Sequence, residues 1–300
     1  MKVTSFDLQN SSKVVVTFTP LQNRLKDGFG FGGEFILKNG YSLLSIKYTI
    51  DDWYKSVTED DIELIRNFIK KYEIKIGYGS SMGGFASLFF SKKLEFNKVI
   101  AISPQYDISV DWDSRWRHLS NQSIGQVIDK GCISENCSYV IIYDNKNMDS
   151  RHVENIVSTN PLLFQLIPIS RSGHPSTTFL NEINCLSRLI RSVLDDVHFD
   201  KTIFRDLVRK SPSALYELSI QLFVRRKFFK SLEFVNWAIL IAENDNSTYY
   251  YHRSLIYKRL NLVRSACESA KLAAKFRPND QGILDNYKSL CNLLKFEASF

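Results

Sequence analysis

Residues 74–91 read IKIGYGSSMGGFASLFFS, and they say more about the fold than any other part of the chain. The run begins as a short apolar strand and ends in a helix-competent segment, with Gly79 and Gly83 each two residues from Ser81. A serine on a sharp strand-to-helix turn needs such neighbours, because a side chain at either position would press against adjoining elements. The run therefore predicts a serine hydroxyl exposed above a sheet, with the N–H of Met82 directed to the same place.

A dinucleotide-binding turn is the competing interpretation of this run, since Gly77 and Gly79 begin a G-x-G. In that motif the third glycine falls where Met82 stands. The first strand of such a fold would also lie near residue 1. Both points favour the serine turn.

Around this run, short β-rich apolar segments alternate with helix-periodic ones as far as residue 195. That alternation predicts an α/β fold with a mostly parallel sheet covered by helices on both faces. Such sheets bind ligands at the carboxyl ends of their strands. The predicted strands are Lys13–Thr19, Tyr41–Lys47, Ile74–Tyr78, Lys98–Ser103, Tyr139–Tyr143 and Phe164–Ile169, and the predicted helices include Asp60–Tyr72 and Phe179–Leu194.

After Asp196 the β pattern gives way to helices, and two stretches, Leu215–Glu243 and Tyr250–Pro278, match at an offset of 35 residues. Small residues coincide at Ser219/Ser254, Ser231/Ala266 and Ala238/Ala273. This pattern resembles the tetratricopeptide repeat, with Phe199–Val208 opening and Gln281–Leu294 closing the stack. Glu243 stands where the first unit would have its Pro, and a generic helical bundle is the alternative. We expect an α/β domain over residues 1–196 and a helical repeat domain over residues 197–300.

The charge of the chain is uneven. Residues 200–300 contain 17 Lys and Arg against 10 Asp and Glu, so they carry the whole net charge of +7. A basic helical domain suggests a protein or anionic partner. Its densest cluster, Arg225-Arg226-Lys227, also fits a solvated turn between helices. The chain contains no nucleic-acid recognition motif.

Composition narrows the class of protein further. With 44% hydrophobic and 24% charged residues among 300, the chain has enough apolar material for a packed core. No window approaches the roughly 18 apolar residues of a membrane span, and the N-terminal residues lack the apolar core of a signal peptide. Five scattered cysteines fit reduced thiols, and no metal or cofactor is expected. These features predict a cytoplasmic protein.

A serine nucleophile needs a base, and the base needs an acid to orient it. Of the five histidines, His174 follows the last predicted strand, so its loop lies over the carboxyl end of the sheet. Asp149 and Asp144 both follow the penultimate strand. Asp149 is favoured because it lies further into the loop and has more reach, whereas Asp144 is placed to bond backbone amides. Both remain candidates.

These residues resemble the α/β-hydrolase superfamily, and G-S-S-M-G-G followed by Phe and Ala resembles its small bacterial esterases. The resemblance implies an acyl-enzyme mechanism carried by Ser81, His174 and Asp149 or Asp144. Some members are acyltransferases that O-acetylate bacterial surface polysaccharides. The family's second oxyanion donor follows the strand Lys13–Thr19. There Pro20 has no N–H, so Leu21 or Gln22 would join Met82.

The segment between the strands that end at Ser103 and begin at Tyr139 is the family's usual place for a lid, and it contains Trp112 and Trp116 among charged residues. The two tryptophans suggest a wall for a polar substrate such as a sugar, or packing of the segment alone. No extended apolar run is present to shelter a long acyl chain. We therefore expect an esterase or deacylase of small acyl esters on a polar substrate, with a carbohydrate as the candidate. The alternatives are an O-acyltransferase that uses a saccharide acceptor and a non-catalytic scaffold.

Overall fold

The computed structural model describes residues 2–7, 11–21, 28–47, 50–120, 126–243 and 246–297. Within them the strands form one sheet in the order β1-β3-β2-β4-β5-β6-β7, parallel throughout except that β1 runs antiparallel to β3. The strands are β1 (Lys2–Phe6), β2 (Lys13–Phe18), β3 (Ser42–Lys47), β4 (Ile74–Ser80), β5 (Lys98–Ile102), β6 (Ser138–Tyr143) and β7 (Phe164–Pro168).

Helices connect the parallel strands and then make up the C-terminal part of the described chain. The helices that accompany the sheet are α1 (Gly33–Lys38), α2 (Glu59–Ile69), α3 (Met82–Phe89), α4 (Arg117–Ser120), α5 (Asp149–Val157), α6 (Ser176–Glu182) and α7 (Leu186–Leu194). Those that follow are α8 (Ile203–Leu207), α9 (Pro212–Val224), α10 (Phe228–Ile241), α11 (Ser247–Arg259), α12 (Val263–Phe276) and α13 (Gln281–Glu297).

Strand β2 shows why the sheet must be covered on both faces. Alternate residues of a strand point to opposite faces. Val14 and Val16 pack into the cluster that contains the apolar residues of α2 and α3, while Val15 and Thr17, on the other face, are also fully buried. Both faces of this strand therefore contact protein. The predicted fold class, a mostly parallel α/β sheet covered by helices on both faces and followed by an all-helical region, is confirmed.

Strand β1 and the helical segment after β7 differ from the sequence prediction. Strand β1 was not predicted, because its five residues form an antiparallel edge strand with little apolar content. The helix predicted over Phe179–Leu194 is interrupted, since Asn184 adopts a left-handed conformation (φ 55°) between α6 and α7. A side-chain-bearing residue in that region ends a helix, and asparagine tolerates it better than most.

The helical part repeats with the offset that the sequence shows. Helices α9 and α10 begin 35 residues before α11 and α12 respectively. The small residues lie where helices touch: the hydroxyls of Ser219 and Ser231 are 3.0 Å apart, and each also donates to the other's backbone carbonyl. Kinship with tetratricopeptide repeats stays a prediction.

The described chain divides into two compact units. The first comprises the described residues up to 170 together with 174–180 and 184–201, and the second comprises residues 171–173, 181–183 and the described residues from Thr202 to Glu297. The domain boundary proposed between residues 196 and 197 stays a prediction. No helix among the described residues has the length and apolar character needed to cross a membrane.

Candidate active site

The candidate nucleophile lies on a strained turn between β4 and α3. Ser81 has φ 52° and ψ −121°, a conformation that is costly for a residue with a side chain. Its amide donates to the carbonyl of Ile102 (2.8 Å) and its carbonyl accepts from the amide of Phe85 (2.9 Å). The turn is therefore anchored to β5 on one side and to α3 on the other.

The two flanking glycines are required by close backbone contacts. A Cβ added at Gly79 would overlap the carbonyl of Gly83, and one added at Gly83 would overlap the carbonyl of Phe18 on β2. The motif thus lets α3 lie directly against the sheet at the point where the serine emerges.

The candidate base faces the serine. The hydroxyl oxygen of Ser81 lies 2.9 Å from Nε2 of His174, which occupies the loop between β7 and α6. The ring of Trp116 packs edge-to-face on the imidazole, with centroids 5.2 Å apart. The buried side chain of Gln105 places its amide nitrogen 3.4 Å from the same Nε2 and donates to the carbonyl of Ser103.

The acid that contacts His174 is Asp149, the first residue of α5. Its two carboxylate oxygens lie 3.0 and 2.9 Å from Nδ1 of His174. When Nδ1 carries the ring proton and donates it to Asp149, Nε2 presents its lone pair to the hydroxyl of Ser81. Asp144 is also buried, and its carboxylate accepts from the backbone amide of Lys146 (2.8 Å).

Arg115 is a neighbour that sequence reasoning missed. It lies in a short 3-10 turn, Ser114–Trp116, within the segment between β5 and β6. Its Nη1 donates to Asp149 at 2.9 Å. Burial alone would raise the pKa of the Asp149 carboxyl, but the charges and hydrogen bonds of His174 and Arg115 lower it below its usual range. The fully buried acid is thus held ionised from two sides.

Arg115 also joins Asp149 to a second carboxylate. Its Nε lies 3.0 Å from both oxygens of Asp113, and its Nη2 donates to the same carboxylate at 2.7 Å. Asp113 in turn lies 3.0 Å from Nε2 of the buried His152, whose Nδ1 accepts from the amide of Tyr106 (3.1 Å). Burial opposes ionisation of Asp113, yet His152 and Arg115 lower its pKa. One guanidinium therefore bridges two buried carboxylates.

The structure describes two of the three predicted oxyanion donors, Met82 and Leu21. Met82 is buried and begins α3, where the first amides of a helix have no intrahelical partner. Leu21 packs, partly buried, against the core beside the end of β2. Gln22 lies outside the described residues. Met82 and Leu21 remain the predicted donors within them.

The two tryptophans have different surroundings. Trp116 packs between His174 and Trp53, with a centroid distance of 5.3 Å to the latter. Trp112 packs 4.5 Å from the His152 ring, and the guanidinium of Arg151 lies 4.4 Å from its centroid. Trp116 therefore lies beside the pair Ser81 and His174, whereas Trp112 packs on His152, the histidine that contacts Asp113.

A metal site would need several His, Cys, Asp or Glu side chains close together. Within residues 2–7, 11–21, 28–47, 50–120, 126–243 and 246–297, no group of three or more His, Cys, Asp and Glu side chains is arranged to hold an ion.

No model of a known protein family matches the chain, and no curated protein matches it. Solved structures similar to it include a hormone-sensitive lipase from a metagenome library, which is 12% identical, with a TM-score of 0.46 over 71% of this chain and 84% of that one. The capsule O-acetyltransferase of Neisseria meningitidis serogroup A is 14% identical, with a TM-score of 0.41 over 55% of this chain and 85% of that one.

A chain in the structure of the glycosylation-associate protein (Gap123) complex of Streptococcus agalactiae is 11% identical to this chain, with a TM-score of 0.44 over 63% of this chain. The match covers 44% of that neighbour's chain, so the present chain spans less than half its length. At such identities the likeness does not extend to activity, substrate or partner.

Proposed function

We propose that the chain is a serine hydrolase, an esterase or deacylase that acts through an acyl-enzyme. The observation that carries the proposal is the continuous hydrogen-bonded chain from the Ser81 hydroxyl through His174 to Asp149. A serine hydroxyl is unreactive until a base removes its proton, and this arrangement supplies both the base and the group that orients it.

In the acylation step the hydroxyl oxygen of Ser81 attacks the acyl carbonyl while Nε2 of His174 takes its proton. The carbonyl oxygen becomes an oxyanion, which the amide of Met82 and a second donor stabilise. Asp149 stabilises the imidazolium that forms. Collapse of the tetrahedral intermediate breaks the ester bond, and the departing alkoxide takes the proton from His174.

In the deacylation step a second oxygen nucleophile completes the cycle. Water gives up a proton to His174 and attacks the acyl-enzyme, which releases the acid and restores Ser81. The hydroxyl of a saccharide in place of water would give O-acyl transfer by the same proton movements. The two outcomes differ in the acceptor, so transfer remains the alternative activity.

The proposed substrate class is a small acyl ester of a polar compound such as a saccharide. Trp116 supports this, because its ring packs directly on the imidazole of His174, with centroids 5.2 Å apart. An aromatic face packs on the C–H groups of a sugar while nearby polar groups bond its hydroxyls. The segment that carries Trp116 contributes charged neighbours and no long apolar run.

The test is covalent labelling of the intact chain with a fluorophosphonate. We expect one phosphonylated residue, identified by peptide mass spectrometry as Ser81, with labelling abolished in Ser81→Ala and strongly slowed in His174→Ala. Absence of labelling at Ser81 in the folded wild-type chain would leave a non-catalytic scaffold as the better interpretation.

Hydrolysis and transfer are separated by a second measurement. The chain is incubated with p-nitrophenyl acetate, with and without a saccharide acceptor, and both free acetate and acetylated acceptor are quantified. Acetate alone supports hydrolysis. Faster nitrophenol release with acetylated acceptor as product supports transfer.

A further inference from the structure

In the helical unit, the turn between α9 and α10 and the turn between α11 and α12 lie at the same edge. The rings of Tyr216 on α9 and Tyr249 on α11 are 4.9 Å apart, and the hydroxyl of Ser219 lies 3.1 Å from Nε2 of His252. Both pairs are separated by 33 residues, so α9 and α11 run side by side in the same direction. The turn from α9 to α10 and the turn from α11 to α12 therefore project from the same edge of the unit.

These turns are strongly and uniformly basic. Residues 224–230 read VRRKFFK and residues 258–264 read KRLNLVR, so together they hold seven Lys or Arg and no acidic residue. We call these two segments the basic edge. All seven cationic side chains are exposed. Among the described residues, none of the seven forms a side-chain hydrogen bond or an ion pair. Their charge is therefore not neutralised by the helices that carry them.

Apolar side chains protrude among these cations. Val224 is 75% exposed, Phe229 is 77% exposed and Leu262 is 47% exposed. A turn that only faced water would gain nothing from three such side chains, since each loses free energy by exposure. Basic side chains interleaved with protruding apolar ones are the composition of surfaces that lie on a lipid headgroup layer.

Backbone conformation indicates that Arg226 is not there to shape the turn. Arg226 has φ 57°, and Asn261, 35 residues later, has φ 58° at the equivalent position of the second turn. Asparagine or glycine adopts this left-handed conformation with less strain than arginine does. The turn geometry alone thus favours asparagine, as found at position 261, over arginine, as found at position 226.

We propose that the basic edge binds the surface of an anionic lipid membrane. The seven cations attract the headgroup layer, and Phe229, Val224 and Leu262 enter it to the depth of the headgroup–acyl boundary. The observations favour a membrane over an acidic protein because the apolar side chains stand out at the second turn and at the helix ends beside the first, whereas a protein-binding groove would shelter them. The proposal concerns the helical unit alone and does not depend on the activity of Ser81.

The test is sedimentation of the full-length chain with lipid vesicles at 50 mM salt. We expect binding to vesicles of 70% phosphatidylcholine and 30% phosphatidylserine at least tenfold tighter than to pure phosphatidylcholine, and weaker binding at 500 mM salt. Each cation near an anionic surface is worth about fivefold in affinity, so R225Q/R226N/K227Q should bind about 100-fold more weakly. Phe229→Ser should also weaken binding, with little change in its salt dependence.

A matched control removes the same charge elsewhere in the helical unit. Lys271, Lys275 and Arg277 are exposed cations on or just after α12, towards the end remote from the basic edge. K271Q/K275Q/R277Q should bind within about threefold of wild type. Arg226→Asn alone should keep or raise thermal stability while weakening vesicle binding about fivefold, which separates binding from folding.

Three results would overturn the proposal. The first is equal affinity for neutral and anionic vesicles, and the second is an equal loss of vesicle affinity in the two triple variants. The third is the absence of vesicle binding at 50 mM salt. That third result counts against the proposal whether or not the chain binds polyglutamate, which mimics an acidic protein. Ser81→Ala should bind vesicles like wild type. Vesicle binding can therefore be measured even if the chain has no hydrolase activity. Hydrolase activity can likewise be measured even if the chain does not bind vesicles.

Discussion

Acid should loosen the helical unit through one buried histidine. His252 on α11 is 6% exposed and packs between the rings of Tyr216 and Phe223. Its Nε2 lies 3.1 Å from the hydroxyl of Ser219. Burial lowers the pKa of His252 to about 4, and a hydrogen bond with the backbone of Ser219 opposes this only in part. The histidine is therefore neutral in the folded chain at pH values where the unfolded chain already protonates it.

The magnitude follows from linkage. The unfolded imidazole titrates at about 6.5 and the folded one at about 4, so between these values the unfolded state binds more protons and stability falls as pH falls. The stability is fully present above about pH 6.5. Lowering the pH from 7 to 5 removes about 2 kcal/mol, and lowering it well below 4 removes about 3 kcal/mol in all.

The assay compares wild type with His252→Gln, whose amide still reaches Ser219 but does not titrate. Hydrogen exchange of peptides from α9 and α11 gives the opening free energy of those helices at pH 7 and pH 5. Contributions from all other groups cancel in the difference between the two proteins. Wild type should lose about 2 kcal/mol more than the variant. A pH-induced loss that is the same in both proteins, within 0.5 kcal/mol, would refute the reasoning.

Three further predictions concern the candidate active site. Arg115→Met removes one charge-assisted hydrogen bond from Asp149, worth about 1.5–3 kcal/mol, so kcat should fall roughly 10- to 150-fold, with partial recovery in Arg115→Lys; a change under twofold contradicts this. Asp149→Asn should lower kcat by at least 100-fold, because an amide neither fixes the tautomer of His174 nor carries the charge that stabilises its imidazolium, whereas Asp144→Asn should affect thermal stability more than kcat; steady-state kinetics and melting curves on both variants decide. Gly83→Ala places a Cβ against a backbone carbonyl of β2 and should abolish fluorophosphonate labelling or folding, whereas labelling at the wild-type rate would show that the turn has room.

The turn that holds Ser81 was predictable because its requirements are local. Glycines are needed wherever backbone passes too close for a Cβ, and Gly79 and Gly83 meet that need within five residues of chain. The helical repeat was predictable for the same reason: small residues spaced 35 apart mark successive helix contacts. Neither inference required knowledge of distant parts of the chain.

The surroundings of the candidate acid were not predictable in this way. Asp149 begins a helix, where the sequence suggested a loop, and its partner Arg115 lies 34 residues earlier. Nothing in the spacing of Asp113, Arg115 and His152 marks them as neighbours. Their contacts arise because the segment after β5 folds back over the end of β6, which neither hydrophobic periodicity nor turn chemistry encodes.

By itself, the sequence determined the class of fold, the serine on its turn and the periodic helices, since steric and hydrophobic patterns act over a few residues. Only the tertiary structure decided which of the two aspartates meets His174, and that a single guanidinium bridges this carboxylate to another. The physical reason is range: hydrogen bonds of about 3 Å between groups 25 to 93 residues apart depend on how strands are ordered in the sheet.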